Sequence, residues 1–344
     1  MSNKLIRFTT LFFVILTGIV SIIASDDTAG PVIGNALEQL GFNERLAYRW
    51  APIHTQDVDQ TGTHSLGGKS DYITNIDYDG DWNTRNNWEH AGDYPLKAYA
   101  YYSVVSTSTH WYIVYAFYHP RDWAEELIVS RITEHENDLE GFLAIVRRPP
   151  VFAMNDFGKL EGIVTVFHND FYSYTPAGSP LRDGNENIDG LLKMETYDGN
   201  DHPKTAQQAR GHGLKAKPYV KIEGGDGIFY FPSGFAQEPS NPNDRNVGYK
   251  LLNIFMHDGM WDHRTDPFTF ASYGSFAGDD GKDNAAHAPW AWDDKDDGSS
   301  LQGGELAVDP AKLVNVYFTG LGTFSTTYRF NEYTGDYCNW PNDC

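Results

Sequence analysis

Two neighbouring runs between Lys97 and His119 constrain the fold more than any other part of the chain. The first reads Lys97-Ala-Tyr-Ala-Tyr-Tyr-Ser-Val-Val105 and the second His110-Trp-Tyr-Ile-Val-Tyr-Ala-Phe-Tyr-His119, with Ser-Thr-Ser-Thr between them. Both are dense in β-branched and aromatic residues, and a few turn-formers separate them, so they predict a β-hairpin. Further strands are expected at Leu139–Arg147, Gly162–Asn169, Pro218–Glu223, Gly227–Phe231 and Leu313–Phe318. Helical periodicity is sparse; Pro31–Leu40 and Asp122–Ile132 are the best short helices. The 33 glycines and 17 prolines are spread throughout, which requires long irregular connections. Short strands with abundant turn signals predict a mostly β chain, an antiparallel β-sandwich with a few short helices.

No repeat and no low-complexity linker divides the sequence, so residues 26–337 are expected to form one domain. The polar stretches 183–208 and 235–246 read as loop insertions in it. Ahead of this domain, Lys4 and Arg7 precede an uncharged segment from Phe8 to Ala24, and Asp26 and Asp27 follow. That is the shape of a signal peptide, or of an uncleaved anchor, over residues 1–25. It places the protein outside the cytoplasm, secreted or in the cell envelope. The only cysteines, Cys338 and Cys344, close a small loop at the carboxyl end, and in an oxidising compartment such a pair forms a disulfide that staples the 338–344 tail.

Charge excludes some partners. The chain has 26 Lys and Arg, two of them in the leader, against 47 Asp and Glu, a formal net charge of −21. Nucleic acid and anionic membrane surfaces demand basic patches and are not expected partners. Carboxylates in this excess stay hydrated or collect cations.

The densest chemistry lies in Glu134-His-Glu-Asn-Asp-Leu-Glu-Gly141, which leads into the apolar run Phe142–Val146. On a strand, Asp138 and Glu140 project from one face and Leu139 from the other. His135 can fold over the same point. Two carboxylates and an imidazole make half of a site for a hard cation: Ca²⁺, Mg²⁺ or Mn²⁺. Solvated charges ahead of a strand are the alternative reading of the segment. A second candidate is Asn75-Ile-Asp77-Tyr-Asp79-Gly-Asp81, which places oxygen ligands at alternate positions. It resembles the first half of a calcium loop but has no Glu at the twelfth place, so an acidic turn is the alternative. The acidic stretches 279–283 and 293–297 either stay hydrated or share a cation, and Lys295, at a ligand position, takes the second out of the calcium-loop pattern.

Tyr115-Ala-Phe-Tyr-His-Pro-Arg-Asp122, followed by His135-x-x-Asp138-x-Glu140, resembles the core of the necrosis- and ethylene-inducing-peptide-like proteins. Their pattern is Tyr-Ala-Trp-Tyr-Phe-Pro-Lys-Asp and then Gly-His-Arg-His-Asp-Trp-Glu. The resemblance implies a divalent cation at one end of a β-sandwich, held by Asp122, His135, Asp138 and Glu140. Where the family has Gly, Arg, His and Trp, this chain has Glu134, Glu136, Asn137 and Leu139, so the ligand types are kept while their neighbours differ. A fungal vacuolar-protein-sorting family with a His-x-x-Asp-Trp-Glu segment is comparably similar. Arg210-Gly-His-Gly213 is similar to a His-Gly segment downstream in both families, and could bring His212 into the pocket.

The resemblance implies binding of a glycan or glycolipid head group through the cation, with cytolysis as its possible outcome. Two alternatives stay open: an envelope protein with purely structural cations, and a metal-dependent hydrolase. Motifs for a serine nucleophile, a His-Glu-x-x-His zinc site or a phosphate loop are absent. A hydrolase would therefore rest on the same cluster, with Glu136 or His212 carrying protons.

Overall fold

A computed structural model describes residues 41–125, 133–151, 153, 155–296 and 301–337. The leader, the expected helix at 31–40, most of the one at 122–132, Asp297 and the cysteine pair lie outside the described residues.

The chain is mostly β. After the helix Phe42–Trp50 the strands are β1 (Ile53–Asp57), β2 (Tyr99–Thr107), β3 (His110–Asp122), β4 (His135–Arg147), β5 (Lys159–Phe167) and β6 (Asp170–Thr175). There follow β7 (Arg182–Asp183), β8 (Ile188–Leu191), β9 (Met194–Tyr197), β10 (Asn200–Gln207), β11 (Leu214–Ala216), β12 (Gly227–Pro232) and β13 (Val247–Asn253). Short strands β14 (Phe270–Ser272), β15 (Ser275–Phe276), β16 (Phe318–Thr319) and β17 (Tyr328–Phe330) complete the set.

In place of the expected antiparallel sandwich there is one large mixed sheet, ordered β11-β10-β1-β12-β13-β2-β3-β4-β5-β6-β8. Four of its pairings are parallel: β1 with β10, β12 with β13, β13 with β2, and β6 with β8. The sheet curls into a half-barrel, so that β11 at its edge packs across β4 and β5. One core fills the concave side, with Phe42, Leu46, Trp111, Tyr115, Phe142, Tyr230 and Tyr249. The other lies on the outer side of β2–β5, against the irregular segment around Trp290 and the helices Glu305–Val308 and Pro310–Tyr317. Strands β3 and β4 are thus covered on both faces, which accounts for their near-continuous apolar runs where a half-exposed strand would alternate.

The hairpin forms as expected, and 139–147, 162–167 and 227–231 fall within β4, β5 and β12. Pro218–Glu223 is instead a turn. Residues 313–317 are helical: Pro310 sits at the first helical position, and Ala311, Val314 and Leu313, Tyr317 form a buried stripe at spacings of three and four. The 183–208 stretch, expected as a loop, supplies β8, β9 and β10, and β10 lies inside the sheet between β1 and β11. The 235–246 stretch is irregular.

Candidate functional site

The site is built where β3 ends and β4 begins. Asp122 pairs with His135, Arg121 with Glu136, His119 with Asp138 and Phe117 with Glu140 across the two strands. Between these pairs Pro120, with no N–H to give, faces Asn137, whose φ of 62° puts it in the left-handed region. Strict alternation would send His135 to the opposite face from Asp138 and Glu140. The break at Asn137 turns them to one side. Asn137 itself is buried: its Oδ1 accepts from Tyr118 (2.5 Å) and Asn87 (3.2 Å), and its amide donates to the carbonyls of Thr84 (2.9 Å) and Ala277 (3.1 Å).

Asp122, His135, Asp138 and Glu140 all line one cavity of about 690 Å³, whose mouth is bordered by the exposed Lys282 and Asp283. Each carboxylate is matched to an imidazole. Asp122 lies 3.3 Å from His135 Nε2, Asp138 3.0 Å from His212 Nδ1, and Glu140 3.2 Å from His168 Nδ1. Glu140 also accepts backbone N–H groups from His168 (2.8 Å) and Leu214 (3.1 Å). The carboxylate and imidazole atoms do not gather round a single point. Among the described residues, the one trio of such groups within 4.8 Å of one another is Asp170, Asp294 and Asp296.

Beneath the cavity floor, His212 sits fully buried between Asp138 and Asp71 (3.2 Å from its Nε2) and stacks on His119 at 3.7 Å. Burial opposes its charge, but the hydrogen bonds and charges of the two aspartates outweigh burial and raise its pKa to about 10. His168, desolvated but held by Glu140, is raised to about 9, and His135 is raised by Asp122 against its own burial. Burial pushes Glu140 up to about 7 in spite of His168. Burial likewise pushes Glu136 up to about 8. Its carboxylate turns away from the cavity to accept the N–H groups of Trp88 (2.9 Å) and Asp279 (3.1 Å).

The second candidate segment is arranged differently. Asn75 donates to Asp77 (2.7 Å), Asp79 meets His90 (2.5 Å), and Asp81 accepts from the Asn83 N–H (2.7 Å), so these groups serve their own turn. Asp71 and His168 escaped the sequence reading, and His119 and Arg210, although inside the quoted segments, were given no role there. Asp71 and His168 sit in segments without a motif, and Asp71 reaches His212 across 141 positions. Backbone strain marks the same region: His168, Arg210 and His212 join Asn137 with positive φ.

The carboxylates of Asp122, Asp138 and Glu140 are the donor type that a hard divalent cation takes, and they share the cavity wall with Arg210, Lys282 and Lys295.

No family model matches the chain, and no curated protein does. Among solved structures, "NLPPya in complex with mannosamine" is 12% identical with a TM-score of 0.36, covering 82% of this chain and 93% of that one. "Crystal structure of non-toxic HaNLP3 protein" is 14% identical with a TM-score of 0.30, covering 66% and 78%. Necrosis and Ethylene inducing Protein 2 from the causal agent of cocoa's Witches Broom disease is 13% identical with a TM-score of 0.27, covering 60% and 72%. The neighbours of this chain in structure are thus necrosis- and ethylene-inducing proteins, at identities and TM-scores too low to carry function across.

Proposed function

We propose that the chain is an exported glycan-binding protein that holds a glycan or glycolipid head group in the cavity of Asp122, His135, Asp138 and Glu140, with a divalent cation, Ca²⁺ or Mg²⁺ or else Mn²⁺, among those side chains. The observation that supports this reading is one open cavity into which three acids and an imidazole from a single hairpin project. A cation there supplies a charge that attracts sugar hydroxyls, while the side chains position it and accept hydrogen bonds. Two of the neighbouring NLPPya structures hold amino sugars, mannosamine and glucosamine. For this chain the reading rests on the cavity. The hydrolase alternative gains no support from geometry, because Glu136 faces away from the cavity and His212 is sealed beneath it.

The test is binding of the purified protein to a glycan array and to glycolipid vesicles, with and without chelator. Attachment should be lost in chelator, and in Asp138→Ala and Glu140→Ala, with far-UV circular dichroism near native. Dye release from the same vesicles separates lysis from attachment. Silence on both surfaces together with a chelator-dependent melting point would favour structural cations, and chelator-sensitive turnover of phosphoesters or glycosides that disappears in Glu140→Ala would favour the hydrolase.

A further inference from the structure

A second cavity, of about 590 Å³, adjoins the first and shares Gln208 and Arg210 with it. Arg210 is the ridge between them, and it is rigidly built. Its guanidinium lies 2.7 Å from Asp59 and 5.0 Å over the Trp123 ring, its N–H donates to Asp71 (2.8 Å), and its φ is 72°. Of the charges lining the second cavity, Arg210 pairs with Asp59 and Lys221 with Glu223 (2.7 Å), Lys215 lies over the faces of Tyr172 and Phe167, and Asp57 accepts the Glu223 N–H (2.8 Å). Gln60 donates to Asp226 (2.8 Å), and Tyr219 is 43% exposed. With acidic Asp57, Asp59, Glu223 and Asp226 set against basic Arg210, Lys215 and Lys221, charge is nearly balanced, and the amides and aromatic rings offer hydrogen bonds in both directions and apolar faces. That combination fits a neutral sugar, whose hydroxyls need donors and acceptors and whose C–H faces pack on rings. Each cavity falls in the range, about 300 to 1,000 Å³, that holds a separate small ligand.

We propose that the glycan is an uncharged oligosaccharide of at least two units, one in each cavity, laid across Arg210. The proposal rests on the glycan reading of the first cavity and extends it by naming the length and charge of the ligand. Only a chain of linked units gains from both cavities, because the second unit binds intramolecularly once the first is seated.

Affinity should be measured by calorimetry for monomers, dimers and trimers of N-acetylglucosamine and of mannose. Dimers or trimers of at least one series should bind about tenfold or more tighter than the monomer. Gln60→Trp and Lys221→Trp, which fill the second cavity from two exposed positions, should reduce that gain to threefold or less and leave the monomer unchanged. Asp138→Ala should remove binding of every length. Monomers binding as tightly as oligomers, or a gain that survives both tryptophan variants, would overturn the extension alone. No binding by any member, with chelator-free protein of native circular dichroism, would overturn the glycan reading itself and the extension with it.

Discussion

Asn137 holds the β3–β4 hairpin end in the conformation that brings His135 round to Asp138 and Glu140. It combines a left-handed backbone with four buried hydrogen bonds, and removing the side chain takes the acceptor from the Tyr118 hydroxyl and the donor from the Thr84 carbonyl. Asn137→Ala is expected to cost about 3 to 5 kcal/mol in a urea titration. Asn137→Gly, spared the backbone strain, should lose less. A stable Asn137→Ala protein would show that the knot does not hold the site. Glu332 offers a pH test. Burial raises its pKa from 4.5 to about 7, so the native state binds its proton more tightly than the unfolded chain does. That contribution is complete below about pH 4.5 and is lost as the pH rises through 7. Glu332→Gln should therefore change little at pH 4 and add about 1 kcal/mol at pH 8, a figure reduced for partial exposure. An equal effect at both pH values would remove the explanation. That Asp122, His135, Asp138 and Glu140 face one cavity was legible because they lie on one hairpin with a recognisable spacing. Asp71, His168 and Arg210 were not, since their roles come from contacts made only when the sheet curls.

Among the elements, β3 and β4 were legible for the same reason that they are central: two-sided burial leaves a long apolar run. The helix Pro310–Tyr317 and strand β10 were misassigned where burial is one-sided or the sequence polar. Val314, Val316 and Tyr317 look like strand residues until the proline that starts the helix is weighed, and β10 takes its place through backbone pairing with β1 and β11. The parallel pairings of β1 with β10 and of β13 with β2 had no local signal, as they join segments remote in sequence. Within β4, Gly141 is where the strand must pass closest to its neighbour. A Cβ there would collide with the Tyr115 carbonyl oxygen and lie 2.8 Å from Trp292. Gly141→Ala should destabilise the protein by about 2 kcal/mol or more, seen as a lower melting temperature, and a neutral change would mean the strands separate without cost.

For the molecule as a whole, a cation bound only by the folded state stabilises it by mass action, about 2.7 kcal/mol at 100 times Kd. Chelator should lower the melting temperature by several degrees, with Ca²⁺ or Mg²⁺ restoring it. Asp138→Ala should abolish that response. Asp294→Ala should keep it, although losing the bonds from Phe171 and Tyr317 lowers its absolute stability. Equal loss of the response in both would move the principal cation to Asp170, Asp294 and Asp296.

The long β3–β4 ladder, sheltered on both sides, has a consequence for recognition. Amides in such a ladder exchange with solvent only when the whole protein opens, and the bend from Gln208 to Gly213 opposite it is pinned by Arg210 to Asp59 and Asp71 and by His212 to Asp138. Both walls of the cavity are therefore anvils: the acids and the bend facing them wait already in place, and the adjustment falls on the guest.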